Sequence, residues 1–137
     1  MKICYILNPK ITVDEFIAIL KSSTLGERRP IDDRLCMEGM LEHADILLTA
    51  TYDEKIIGVV RAVTDFNYCC YLSDLAVHVD YQQEGVGKKL IALVQAELGE
   101  KCKVILLSAP QAKAYYPKIG FTQHDSAWVV TSKKALI

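Results

Sequence analysis

Apolar residues recur along the chain at intervals that predict alternating strands and helices. A short apolar run at residues 3–7 indicates a first strand, and Thr12 with Glu15 matches a capping box, which predicts that a helix begins there. The apolar residues that follow have the helical period: Val13, Phe16, Ile17 and Leu20. A second helix of similar spacing is predicted from about Asp32 or Asp33 to Ala44, so both helices are expected to pack one face inward.

Three apolar segments after the second helix predict a meander of strands. Residues 46–52 and 56–63 are rich in β-branched residues and flank a polar turn at 53–55, which predicts a hairpin. A third strand is predicted over residues 68–79. Gly58, early in the second of these strands, indicates a bulge or a close approach by another part of the chain.

The third strand of the meander leads through a glycine-containing turn into an amphipathic helix, predicted from Val86 to about Gly99. The next apolar run, residues 103–107, predicts a strand that is covered on both faces. Because the helix between these two strands is long enough for a right-handed crossover, the strands are predicted to be parallel.

The chain after residue 107 predicts a short helix and one or two final strands. Ser108 and Gln111 match a second capping box, and Pro117 limits the helix, so Tyr115 and Tyr116 are expected near its end. Residues 121–131 are predicted to form the final strands. The predicted fold class is α/β, a mixed central sheet flanked by helices in the order β-α-α-β-β-β-α-β-α-β-β, and residues 1–137 are predicted to be one domain.

Composition narrows the class of protein. Hydrophobic residues make up 51% of the 137 residues, charged residues 24%, and the formal net charge is -1, which argues against a disordered chain and against a nucleic-acid-binding surface. The sequence contains neither a signal-peptide pattern nor an apolar run long enough to span a bilayer. We therefore expect a soluble cytoplasmic protein with neither nucleic-acid nor membrane partners.

The cysteines and histidines do not have the spacing of a metal site. The five cysteines are scattered through apolar stretches and are interpreted as reduced core residues, with Cys69 and Cys70 on opposite faces of one strand: Cys4, Cys36, Cys69, Cys70 and Cys102. The three histidines likewise lack ligand spacing: His43, His78 and His124. No metal is predicted.

The turn before the third predicted helix is the strongest candidate for chemistry. It contains Gln82-x-x-Gly85-x-Gly87 between a strand and a helix. The first amides of a helix have no partner in the helix and carry a partial positive charge, and glycines let backbone approach an anion closely. This arrangement predicts a phosphate-binding turn.

This turn, together with the segment Tyr115-Tyr116-Pro117-Lys118-Ile119-Gly120-Phe121, resembles the GNAT superfamily of N-acetyltransferases over nearly the whole chain. The resemblance implies acetyl-CoA as cosubstrate, bound in the gap where two parallel strands splay apart. It implies these cofactor-binding residues: Leu75, Ala76, Val77, Gln82, Gln83, Glu84, Gly85, Val86, Gly87 and Lys88. Two departures from the family are Glu84, beside the expected diphosphate, and Pro117, in a segment where the family continues its helix.

The resemblance also implies one catalytic residue, and the residues themselves indicate further candidates. Tyr116 matches the family's general acid, which protonates the departing thiolate. Asp74, a carboxylate in an apolar strand, is either the general base or a structural carboxylate bonded to backbone or to an arginine. Arg28 and Arg29 are candidates for binding a carboxylate or phosphate of the acceptor, against the alternative of solvated charges, and Arg61 is a further candidate for shaping that site.

The function implied is transfer of an acetyl group to a primary amine of a small molecule. A protein or peptide N-acetyltransferase and a non-catalytic acyl-CoA-binding regulatory domain are the alternatives. Because many members of the family are dimers, a homodimer is one expected form.

Overall fold

The computed structural model describes residues 2–137 and contains a five-stranded mixed sheet with strands in sequence order. The first four strands are antiparallel and the fifth is parallel to the fourth. The strands are β1 (Cys4–Leu7), β2 (Ile46–Tyr52), β3 (Lys55–Thr64), β4 (Cys69–Val77) and β5 (Lys103–Ile105). The α-helices are α1 (Val13–Ser22), α2 (Arg34–Glu42), α3 (Val86–Ala96) and α4 (Tyr115–Lys118). The predicted fold class is thereby confirmed.

The chain divides into two compact units, one up to Leu107 and the other Ser108–Ile137. The sheet, α1, α2 and α3 all belong to the first unit. That residues 1–137 form a single domain stays a prediction. No helix among the described residues has the length and apolar character needed to cross a bilayer.

The capping box predicted for α1 is present with both of its hydrogen bonds. The amide of Glu15 donates to Thr12 Oγ1 at 3.0 Å, and the amide of Thr12 donates to Glu15 Oε1 at 2.9 Å. The start of α2 is capped by Asp33, whose Oδ1 accepts from the amide of Cys36 at 3.1 Å.

The buried core between the sheet and the helices α1 and α2 comprises Phe16, Ile19, Leu20, Leu25, Met37, Leu47, Val59 and Ala76. The predicted inward faces of both helices are therefore confirmed.

Gly58 allows α3 to lie close to the sheet. A Cβ atom at this position would stand 3.1 Å from Val86 Cγ1 and 3.2 Å from Leu90 Cδ1, both side chains of α3. Neighbouring residues of a strand face opposite sides, and Val59 belongs to the core that contains α1 and α2. Thus α3 covers the other face, and the close approach predicted at Gly58 is confirmed.

We expect Gly58→Ala to lower the free energy of unfolding by about 1–3 kcal/mol, because the added methyl group overpacks the contact with Val86 and Leu90. Gly39→Ala is the matched control, since a Cβ there meets nothing within 4 Å and alanine favours the interior of α2 by up to about 1 kcal/mol. Chemical denaturation measures both. Equal stability of Gly58→Ala and the parent chain would contradict the packing described.

The fourth strand carries a bulge and then separates from the fifth. Arg61 pairs with Asp74 but Ala62 pairs with Leu72, so Ser73 is the extra residue. The last pair between β4 and β5 is Tyr71 with Ile105. The remainder of β4, up to Val77, therefore has no pairing with β5, and this edge lies where the splay of the parallel strands is predicted.

Two predictions about buried positions in this unit are wrong. The fifth strand ends at Ile105 rather than at residue 107, and Ile105 is 55% exposed, because β5 is the edge strand and pairs through only three residues. Of the cysteines, only Cys70 is a buried core residue; Cys4, Cys36 and Cys69 are exposed. Burial raises the pKa of the Cys70 thiol. The opposite orientation of Cys69 and Cys70 follows the strand alternation as predicted.

The second unit differs from its prediction in its helices. The capping box of Ser108 and Gln111 is absent, since Ala109 precedes a 3-10 turn, Pro110–Ala112, without a side-chain cap. The helix α4 starts at Tyr115, so the two tyrosines stand at its start rather than near its end. Pro117 lies in the first turn, where its missing N–H costs no helical hydrogen bond.

The prediction of final strands at residues 121–131 is wrong. This described segment contains no strand, and Trp128 and Val129 are 91% and 77% exposed. An apolar segment becomes a strand only where a partner strand satisfies its backbone groups, and local sequence does not specify that partner.

Candidate active site

The turn between β4 and α3 is held to the sheet by a backbone and a side-chain hydrogen bond. The amide of His78 donates to Ile57 O at 2.8 Å, and Gln82 Nε2 donates to Val77 O at 3.0 Å. After Gln82 the chain enters left-handed conformations at Gln83 (φ 69°) and Gly85 (φ 79°). These two residues reverse the chain so that α3 starts immediately at Val86.

The N-terminus of α3 has the geometry of an anion site. Gly85 is the N-cap and supplies no capping side chain, and the first helical hydrogen bond runs from the amide of Lys89 to Gly85 O at 3.0 Å. The amides of Val86, Gly87 and Lys88 therefore have no hydrogen-bond acceptor within the helix. A Cβ at Gly85 would meet nothing within 4 Å, so there is open space beside the N-cap residue. These three amides, the candidate cradle, are donors that fit a phosphate group.

The strand before this turn presents backbone groups to the gap left by β5. The amide of His78 donates to the carbonyl of Ile57, so the neighbouring pair, Gly58 and Val77, is a non-hydrogen-bonded pair of the antiparallel ladder. Val77 therefore directs its N–H and C=O away from β3. Alternation gives Leu75 the same direction, whereas Ala76 faces β3. The bond from Gln82 to Val77 O agrees with this assignment. Two backbone N–H groups, those of Leu75 and Val77, thus line the open edge of β4.

Asp74 lies in a buried ion cluster. Its side chain is fully buried, and Arg61 Nε contacts Oδ2 at 2.5 Å while Arg29 Nε contacts Oδ1. Ser73 completes the cluster, since its Oγ accepts from Arg61 Nη2 at 2.9 Å and its carbonyl from Arg29 Nη2 at 2.7 Å. Both carboxylate oxygens are engaged by guanidinium groups. This geometry favours the structural alternative for Asp74, a carboxylate bonded to arginine.

The two arginines predicted to bind the acceptor have different environments. The side chain of Arg29 is only 20% exposed and belongs to the Asp74 cluster, whereas Arg28 is exposed at the end of the 3-10 turn Leu25–Arg28. The sequence did not predict the ion pair between Arg61 and Asp74. It shows an arginine in one apolar strand and a carboxylate in the next, but only the strand register places the two opposite each other.

Tyr116 lies in the second compact unit. Its ring packs edge-to-face on Tyr115, with centroids 5.2 Å apart, and on Phe121 at 5.3 Å. The carbonyl of Tyr116 accepts from the amide of Phe121 at 3.0 Å, which closes the turn after α4. Burial raises the pKa of the Tyr115 hydroxyl. The aromatic segment therefore fixes the ring of Tyr116 from two sides.

Curated relatives align with part of this chain. It is 29% identical over 97 residues to an uncharacterized N-acetyltransferase, ycf52, of Gracilaria tenuistipitata var. liui, which covers 69% of this chain and 53% of that protein. It is 31% identical over 74 residues to the chloroplastic GCN5-related N-acetyltransferase 2 of Arabidopsis thaliana, covering 50% of this chain and 28% of that protein. The chain thus spans about half or less of the length of these relatives.

Solved structures share the fold over nearly the whole chain. A GNAT family acetyltransferase from Streptococcus pneumoniae superposes with a TM-score of 0.75 at 17% identity, covering 94% of this chain and 98% of that one. The aminoglycoside N-acetyltransferase AAC(6')-Iy, in complex with CoA, gives 0.72 at 21% identity, covering 97% and 96%. The family model for the acetyltransferase (GNAT) domain matches residues 29–131, and the chain belongs to this family.

Proposed function

We propose that this protein is an acetyl-CoA-dependent N-acetyltransferase that transfers an acetyl group to a primary amine of a small molecule. The observation that carries the proposal is the N-terminus of α3, which has no side-chain cap, follows left-handed Gly85 and comes after a strand, β4, whose last residues have no pairing with β5. Family membership supports it. The neighbour AAC(6')-Iy was solved with a CoA-linked bisubstrate analogue, and another aminoglycoside acetyltransferase with sisomicin, which supports an amine of a small molecule as acceptor.

Each binding element has a defined role in this proposal. The amides of Val86, Gly87 and Lys88 hold the diphosphate of acetyl-CoA, and Gln82 to Gly85 shape the turn before them. The amides of Leu75 and Val77 stabilise negative charge on the thioester oxygen, as donors of an oxyanion hole do. Glu84 lies beside the diphosphate site and Lys88 offers a compensating charge at the start of α3.

The transfer itself forms a C–N bond and breaks a C–S bond. A neutral amine attacks the thioester carbonyl carbon, and Tyr116 supplies a proton to the departing thiolate. The amine gives up one proton in the same reaction. The base role of Asp74 stays a prediction, and its two arginine contacts favour release of this proton to solvent water instead.

The proposal is tested by measuring acetyl-CoA binding and thiol release against amino acids, polyamines, aminoglycosides and peptides. Turnover with a small amine is the expected result. Turnover with peptides alone would identify a protein acetyltransferase, and binding without turnover on any acceptor would identify a regulatory domain. A chain that does not bind acetyl-CoA would contradict the proposal.

Gly85→Ala is expected to raise the dissociation constant for acetyl-CoA about tenfold. Holding alanine in the left-handed conformation of Gly85 costs about 1–2 kcal/mol, and the turn relaxes away from the cradle. Gly85→Asn is the matched variant, because asparagine adopts this conformation more readily and is expected to bind more tightly than the alanine variant. Calorimetric titration measures both. Unchanged affinity in Gly85→Ala would argue against a cradle at this turn.

A further inference from the structure

Arg29 uses all three of its guanidinium nitrogens to tie the segment between α1 and α2 to the sheet. Its Nε contacts Asp74 Oδ1, Nη2 donates to Ser73 O at 2.7 Å, and Nη1 donates to Arg28 O at 2.8 Å. The first two contacts reach across 45 and 44 residues of sequence to β4. The third fixes the backbone beside Arg29 itself. One side chain thereby joins residues 25–33, which contain the 3-10 turn and the N-cap residue of α2, to the fourth strand.

The same carboxylate connects this segment to the rest of the unit. Asp74 Oδ2 accepts from Arg61 Nε at 2.5 Å, and Arg61 Nη1 reaches Met40 O, in α2, at 3.5 Å. The side chains of Arg61 and Asp74 are 8% and 0% exposed. Two buried charges of this kind keep their geometry because any displacement leaves one of them unpaired in the core.

The place where Arg29 attaches is the part of β4 that faces the gap. Ser73 is the bulged residue, and it follows Leu72, the first residue after the last pair with β5. Leu75 and Val77, whose amides line the open edge, come immediately after Asp74. A shift of residues 25–33 would therefore have to break contacts with the strand that presents these amides.

We propose that Arg29 is a positioning residue: through Asp74 and the carbonyl of Ser73 it holds residues 25–33 against the open edge of β4 and thereby sets the geometry for the acceptor amine. Three of its five N–H donors are engaged within the protein, which favours this role over binding a carboxylate or phosphate of the acceptor. The inference rests on the proposed acetyltransferase function for its kinetic part and on the hydrogen bonds alone for its structural part.

The test is Arg29→Lys in the full chain. A lysine keeps the charge but cannot reproduce the planar fork that bonds Asp74, Ser73 and Arg28 together. We expect amide hydrogen exchange in residues 25–33 to accelerate about tenfold or more, while exchange in β3 stays the same. We expect the acceptor KM to rise about tenfold, with kcat and the acetyl-CoA dissociation constant changed by less than about twofold.

Arg34→Lys is the matched control, because Arg34 is 58% exposed and pairs only with the exposed Asp14 and Glu38 within the described chain. It is expected to leave both readouts at parent values. If Arg29→Lys folds poorly, Arg29→Gln, which keeps an N–H donor without the charge, is measured in the same way.

Unchanged exchange in residues 25–33 together with unchanged acceptor KM would overturn the proposal. A loss of kcat with a changed pH profile and normal exchange would also overturn it, by placing Arg29 in contact with reacting atoms. Hydrogen exchange needs no turnover. A failure of the acetyltransferase proposal would therefore appear as absent acetyl-CoA binding, independently of the result for Arg29.

Discussion

Asp74→Asn is expected to lower the free energy of unfolding by about 3–5 kcal/mol. The substitution removes the only carboxylate in contact with Arg29 and Arg61 among the described residues and leaves two guanidinium groups in a site where their side chains are 20% and 8% exposed. Unpaired charge in the protein interior is costly because water is not available to solvate it. Since domains are stable by about 5–15 kcal/mol, the loss is a large share of the total. Chemical denaturation measures it directly.

Asp14→Asn is the control for this experiment. Asp14 also contacts an arginine, with 2.8 Å between its Oδ1 and Arg34 Nη1, but its side chain is 78% exposed. Its loss is expected to change stability by less than about 1 kcal/mol. If Asp74→Asn were as stable as the parent chain and lost turnover per folded molecule instead, the carboxylate would be the general base and the structural assignment would be wrong.

Tyr116→Phe is expected to lower kcat by about 10²–10⁴-fold, because it removes the hydroxyl that we propose as general acid. Phenylalanine keeps the ring that packs edge-to-face on Tyr115 and Phe121, so the aromatic segment is retained. The acetyl-CoA dissociation constant is expected to stay within about twofold of the parent value. Single-turnover measurements separate the chemical step from binding and product release.

Tyr115→Phe is the matched control for the hydroxyl. Its ring is 5.2 Å from that of Tyr116, yet we assign its hydroxyl no part in proton transfer. We expect its kcat to remain within about twofold of the parent value. Full activity of Tyr116→Phe with chemistry rate-limiting, or an equal loss in both variants, would remove Tyr116 from the proposed mechanism.

Local sequence patterns predicted the elements of the first compact unit well. Thr12 and Glu15 determine the start of α1 because both hydrogen bonds of the capping box form within four residues. The apolar period of α1 and the glycine of the turn before α3 likewise act locally. Gly58 predicted a bulge or a close approach because a glycine inside a strand has few other uses.

Predictions failed where the outcome depends on distant partners. Residues 103–107 have the composition of a fully covered strand, but β5 is an edge strand and Ile105 is 55% exposed. Residues 121–131 have the composition of strands without a strand partner in the described chain. A strand-like composition shows that a segment would fit a pleated, half-buried position in a sheet. Only the tertiary arrangement decides whether neighbouring strands and helices offer that position.

The sequence by itself determined the glycine turn that leads into α3, since Gly85 and the first amides of α3 act through backbone geometry within a few residues. It left the role of Asp74 open between a base and a structural carboxylate. Only the tertiary structure favoured one of them, because the bulge at Ser73 and the register of β3 with β4 bring Arg61 opposite Asp74, and the segment after α1 brings Arg29. An ion pair between residues 45 positions apart depends on strand register and chain path, which no local pattern encodes.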